Sequence, residues 1–140
     1  MTDAADATPD TSVVVAGLCS WHPDHHLARP FLALRLTPIA HVLAESYSVL
    51  TRLPGSRRIE PEVVVQALQR AFPLPPLSLP PDAMMPLLGQ LAYEGIFGGA
   101  MYDALIGCTA QKAGVQLVTL DARARRTYDA VGAQTLMLAS

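Results

Sequence analysis

Asp103 and Asp121 are the residues whose type and position first suggest chemistry. Asp103 falls near the start of a run, Tyr102-Asp103-Ala104-Leu105-Ile106-Gly107-Cys108-Thr109-Ala110, rich in Ala, Leu and Ile. Gly98-Gly99 break the chain before this run and Gly114 offers a left-handed stop after it, so it reads as a largely buried helix. On a helical wheel Asp103 lies about 60° from Ile106 and about 20° from Ala110, on the side that faces a core. A carboxylate there is unfavourable unless paired, hydrogen-bonded or bound to a metal. The apolar run from Val115 ends in Asp121 and reads as a strand of a parallel sheet. The C-terminal edge of such a sheet is where ligands bind, so two acids are aimed at one place.

Other residues invite weaker readings. Glu45 sits about 40° from the edge of an apolar helical stripe, and from that helix alone it is an ordinary surface Glu. Cys19, His22, His25 and His26 cluster around Trp21, but their spacing matches no standard zinc set. A solvated or substrate-facing histidine cluster is the simpler reading. Arg123, Arg125 and Arg126 follow Asp121 directly, and Arg52, Arg57 and Arg58 form a second basic group. Such side chains grip phosphates without reading sequence, or simply solvate a helix face.

The elements that must position these residues alternate between strand and helix. Residues 1–8 read as a polar, mobile tail before a domain over 9–140. Val13–Leu18 is a strand by propensity, but Thr11 or Ser12 would equally cap a helix there, and Pro9 is awkward inside a central strand. Phe31–Leu36 reads as a strand. Thr37-Pro38 then starts a helix running to Leu53, with Ile39, Val42, Leu43, Ser46, Val49, Leu50 and Leu53 in one stripe. A helix opens at Glu60-Pro61-Glu62 and ends near Phe72. The Pro-rich stretch 73–81 is read as a connection holding a short edge strand, where proline is tolerated. Asp82 caps a helix through Tyr93, Ala122–Val131 is a short basic helix stopped by Gly132, and Gln134–Leu138 is a last strand. This alternation means an α/β fold with a mainly parallel sheet.

Composition narrows the class. The chain has 140 residues, 51% hydrophobic and 16% charged, which fits one folded domain and excludes general disorder. No apolar run is long enough for a membrane span, the start is acidic, and the two cysteines, Cys19 and Cys108, show no framework spacing. These features point to a reducing cytoplasm and no membrane partner. The net charge of −2 neither argues for nor excludes an anionic substrate.

Four segments in order resemble the motifs of the PIN-domain family: Asp10-Thr11-Ser12-Val13, Ala44-Glu45-Ser46-Tyr47, Tyr102-Asp103-Ala104-Leu105-Ile106 and Thr119-Leu120-Asp121-Ala122-Arg123. The branch they resemble most is that of the VapC toxins of type II toxin–antitoxin pairs. The resemblance implies a three-layer α/β/α sandwich with a five-stranded sheet of order 3-2-1-4-5. It also implies that Asp10 ends the first strand and that Val13–Leu18 is helical. It further implies that Asp10, Glu45, Asp103 and Asp121 converge as catalytic and metal-holding residues, with Thr11 or Ser12 in support. An all-oxygen set suits Mg²⁺ or Mn²⁺, the chemistry of phosphodiester hydrolysis. Substrate grip is expected from Arg123, Arg125, Arg126 and Arg52. The implied substrate is RNA, with a tRNA or ribosomal RNA loop as the target class. The implied partners are a cognate antitoxin and a second copy in a homodimer, with Met84, Met85, Leu87 and Leu88 as an apolar surface for one of them. The alternative is a catalytically silent PIN-like module that binds RNA or protein. A phosphate-binding domain on a similar sheet is disfavoured by the absence of a Gly-rich loop after the first strand.

Overall fold

The computed structural model describes residues 6–139. Three parallel strands, β1 (Ala7–Pro9), β2 (Gln116–Thr119) and β3 (Thr135–Met137), form a sheet in the order β1-β2-β3. Thr8 stands opposite Leu117, and Val118 stands between Pro9 and Leu136. Ala7 and Thr8 are therefore buried sheet residues and Asp6 is exposed, while residues 1–5 of the expected tail lie outside the described residues. Proline fits in β1 because, among the described residues, this strand has a ladder partner on one side only.

The five-stranded expectation is corrected to three strands among the described residues, and the expected order is not established by them. A single parallel bridge joins Ile39 to Leu77, closed by Leu77 N donating to Pro38 O and Ala40 N to Leu77 O, each at 2.8 Å. Prolines 38, 73, 75, 76, 80 and 81 remove the donors a longer ladder would need on either side. Thr8 reaches this segment only through its side chain, Oγ1 donating to Thr37 O at 2.8 Å.

Phe31–Leu36 is not a strand. Helix α2 (His25–Ala33) takes up its first half, and Arg35 follows with a φ of 52°. The apolar run satisfied both periods, and packing decided: Ala28 and Leu32 bury against α1 (Thr11–Leu18). Gly17 makes that approach possible, since a Cβ there would sit 2.6 Å from Leu32 Cδ1. The conflict over Val13–Leu18 resolves as helix, with Val13, Val14 and Ala16 fully buried.

Helix α3 (Ala40–Thr51) begins later than the Thr37-Pro38 signal suggests, because Ile39 is held extended by its bridge to Leu77. Its stripe faces inward as expected at Ile39, Val42, Ser46 and Leu50. Helix α4 spans Pro61–Ala71. Helix α5 (Met84–Glu94) starts after a tight turn over Pro81–Ala83, so Asp82 does not cap it. Helix α6 (Ala100–Ala113) runs to a left-handed Gly114, and α7 (Ala122–Ala130) follows β2. Gly107 lets α6 and α7 meet closely, since a Cβ there would lie 2.8 Å from Val131 Cγ2 and 3.3 Å from Tyr128 Cα.

The core around Val14, Ile39, Val42, Phe72, Ile106, Leu117 and Tyr128 ties the sheet to helices of both chain halves. Among the described residues no helix is long and apolar enough to cross a membrane.

Candidate active site

The C-terminal ends of β1 and β2 lie side by side, and each is followed by an acid that caps the next helix. Asp10 accepts Val13 N at 3.2 Å as the cap of α1, and Asp121 accepts Arg123 N at 2.9 Å and Ala124 N at 3.2 Å as the cap of α7. The same residues that start the helices therefore stand at the ligand-binding edge of the sheet.

Asp10 is 2% exposed and fully engaged. Oδ1 accepts from Ser12 Oγ (2.5 Å) and Val13 N, and Oδ2 accepts from Thr119 Oγ1 (2.5 Å) and Tyr128 Oη (2.8 Å). Ser12 Oγ also accepts Leu120 N at 2.9 Å, and Thr119 Oγ1 accepts Asp121 N at 3.0 Å. Each hydroxyl thus receives a backbone proton and passes its own to Asp10. A carboxylate has about four acceptor positions, and all are taken. Burial pushes the Asp10 carboxyl up, opposed by its four hydrogen bonds. Tyr128 is pushed up in turn, first by burial and then by the Asp10 charge beside it.

Asp103 is in the opposite condition. It stands in the first turn of α6 and accepts no hydrogen bond among the described residues. Burial raises its pKa to about 6, reinforced by the charges of Glu45, Asp121 and Asp10 in that order and opposed by Arg123. The acids expected to converge are thus close enough to repel one another. They are not closed into a cage, for among the described residues no three His, Cys, Asp or Glu side chains are grouped as ligands.

Two clefts open over this edge and share Asp121 and Arg123. One, of about 340 Å³, is walled by Gly99, Ala100, Asp103 and Thr127. The other, of about 700 Å³, is walled by Thr11, Ser12, His22, Asp24, Glu45 and Val49. Asp121 lies where they meet, with Asp103 on one side and Glu45 on the other, and Asp10 lies beneath. Glu45 sits 3.6 Å from His41 Nε2, and the His41 ring stacks on Tyr102 at 5.3 Å and 2°. Thr11 Oγ1 is buried with no hydrogen-bond partner among the described residues.

The expected arginines divide. Arg123 lines both clefts. Arg126 is one helical turn on, about 60° from Arg123 around α7, whereas Arg125 lies about 160° away. Arg52 is exposed at the end of α3, seven residues beyond Glu45 or about 10 Å along the axis. None of Arg125, Arg126 and Arg52 lines the clefts.

Three contributors escaped the sequence reading: Thr119 and Tyr128 as donors to Asp10, and His41 beside Glu45. Tyr128 carried a usable signal, being four residues after the buried Ala124 and so on the inward stripe of α7. The Cys19-to-His26 group is drawn apart by separate engagements. Cys19 is buried against Leu50 and Val64, His25 Nδ1 donates to Ala16 O at 2.9 Å, and His22 Nδ1 accepts Asp24 N at 3.1 Å.

The acids at this edge offer oxygens alone, with His22 and His41 beside them, and three of the acids are open to solvent or cleft while repelling each other, a setting that a hard divalent cation relieves. Comparison with known proteins agrees with the edge geometry. The PIN domain family matches residues 7–130. Ribonuclease VapC40 of Mycobacterium tuberculosis is 45% identical over 121 residues, covering 86% of this chain and 90% of the relative. Ribonuclease VapC27 of the same organism is 38% identical over 131 residues, covering 93% of this chain and 95% of the relative.

Proposed function

The chain belongs to the PIN-domain family, in its VapC branch, and from that premise we propose that it is a metal-dependent endoribonuclease acting as the toxin of a toxin–antitoxin pair. The observation that carries the reading is the crowding of Glu45, Asp121 and Asp10 around an Asp103 carboxyl that has no donor of its own. Asp103, Asp121 and Glu45 would hold Mg²⁺ or Mn²⁺, with Asp10 adding to the negative set. When bound, such an ion polarises the phosphate and activates the attacking water.

The chain's own groups do the rest. Arg123, between the two clefts, draws the phosphate in and offsets its charge, with Arg126 one turn behind. Thr11, on the wall of the larger cleft, positions a neighbouring carboxylate oxygen. The hydroxyls of Ser12 and Thr119 fix the Asp10 carboxyl in place. Water adds to phosphorus as the bond to the leaving ribose oxygen breaks. Arg125 and Arg52 steer RNA from further out. The substrate class is a tRNA or ribosomal RNA loop in the cytoplasm.

A cognate antitoxin restrains the enzyme by occupying the acidic clefts. The outer face of α5 supports a homodimer, since Met85 and Tyr93 are 73% and 93% exposed there, while Leu87 turns into the core.

Incubating the protein with total RNA in Mg²⁺, Mn²⁺ or EDTA, beside Asp103→Asn, tests the reading. Cleavage is expected only for the unaltered chain with metal. Cleavage that survives both EDTA and the substitution rejects it. Saturation of Asp10 by protein donors favours a second reading, a silent RNA-binding module, which predicts RNA binding without cleavage under every condition.

A further inference from the structure

The larger cleft extends past the acids to a wall that the proposed chemistry leaves idle, the turn between α1 and α2. This turn is firmly held. Cys19 is buried beneath it, His22 N donates to Cys19 O at 2.9 Å, His25 N donates to His22 O at 3.0 Å, and the His25 ring is tied to Ala16. The tie fixes the chemistry His22 offers. A backbone N–H can only donate, so Asp24 N makes His22 Nδ1 an acceptor, and the neutral ring carries its proton on Nε2. Nε2 has no partner among the described residues, and His22 lines the same cleft as Glu45, Asp121 and Arg123.

Trp21 continues the wall outward. Its ring centroid is 5.8 Å from that of His22, it is 40% exposed, and the guanidinium of Arg57 lies 4.1 Å above it. The indole carries Arg57 over its ring and is still 40% exposed, so a base can stack on it beside or in place of the guanidinium. A flat apolar ring, a neutral N–H donor and a cation in a row complement one nucleotide: base on indole, N–H to an acceptor on base or sugar, guanidinium to phosphate. They do not complement a metal, for the only free ring nitrogen carries a proton.

We infer that the α1–α2 turn, through His22, Trp21 and Arg57, forms a subsite for one unpaired nucleotide beside the bond that is cut. The inference rests on the nuclease reading above. It makes His22 and Trp21 positioning and specificity residues rather than catalytic ones.

Trp21 is the chain's only tryptophan, so its emission reports on this subsite alone. The test titrates the full-length Asp103→Asn chain with 12-nucleotide homopolymers of each base, following Trp21 emission and the anisotropy of end-labelled RNA. Cleavage by chains with an intact Asp103 is measured in parallel. Expected results are quenching of Trp21 on binding and an affinity about tenfold weaker in Trp21→Ala and in His22→Asn. Trp21→Phe keeps a flat ring, and His22→Gln keeps an amide donor near the Nε2 position, so both should recover most of the loss. In the cleavage assay KM should rise by a similar factor with kcat nearly unchanged.

RNA that binds and is cut with Trp21 emission unmoved and all four variants unaltered overturns the subsite and leaves the nuclease reading intact. No cleavage of any RNA by the unaltered chain overturns both. Quenching by poly-glutamate but by no RNA makes the turn a protein-docking surface and likewise overturns the inference.

Discussion

Asp10 accepts hydrogen bonds from Ser12, Val13, Thr119 and Tyr128, whereas Asp103 accepts none among the described residues and faces Glu45 and Asp121 instead. Both carboxyls are pushed up by burial. In the first, protein donors oppose that penalty without cancelling it, and the acid serves as a tie between the α1 cap and the β2–α7 turn. In the second the penalty is left standing, so the fold stores repulsion at a place where a cation would remove it. Two acids at one sheet edge thus divide the work: one holds the frame, and the other keeps the site receptive.

The comparison can be broken most forcefully at Asp10. Asp10→Asn puts an amide donor against hydroxyls already committed to donating, and should destabilise the protein by about 3–5 kcal/mol, read from urea denaturation. A loss under about 1 kcal/mol would mean that the tie is not structural. Tyr128→Phe removes a single donor to a charged group and should destabilise by about 1.5–3 kcal/mol. Gly107→Ala sharpens the same point from a distance, since the new methyl crowds Val131 and the backbone of Tyr128. A loss of about 1–3 kcal/mol, with nuclease activity falling further than stability, is expected from overpacking that shifts the Tyr128 hydroxyl.

The smallest effect has the opposite sign. Asp103 has a folded pKa of about 6 against an ordinary 3.8, so its ionisation weighs on the fold. Below about pH 4 the group is neutral in both folded and unfolded chains and contributes nothing. The destabilisation grows as pH rises through this window and is complete above about pH 6. In EDTA, Asp103→Asn should therefore melt at a higher temperature than the unaltered chain at pH 8 and equally at pH 3.5. Saturating Mg²⁺ should stabilise the unaltered chain and do much less for the variant. A variant that melts lower at pH 8 would show that Asp103 has a partner after all.

The regions differ in the same way in how far they could be read from the chain. The setting of Asp103 and Asp121 was legible because its cues are local: glycines at 99 and 114 punctuate α6, and a short apolar run precedes Asp121. The environment of Asp10 was not, since its donors Thr119 and Tyr128 lie 109 and 118 residues away. Resemblance supplied the helix after Asp10 where propensity favoured a strand. Phe31–Leu36 went wrong because an apolar run satisfies either period, and the cleft of Gly17 that selected α2 is a tertiary fact. The missing strands trace to prolines, which the sequence shows openly but whose effect on ladder length depends on the neighbouring backbone.

The pairing of β1 with β2 joins residues 7–9 to residues 116–118. A polypeptide emerges from the ribosome N-terminus first, so Asp10 is exposed to solvent long before Thr119 and Tyr128 exist to grip it. Throughout translation the acids stay dispersed along a flexible strand of unfinished product. The edge that gathers them is complete only after Thr119 and Tyr128 have been made.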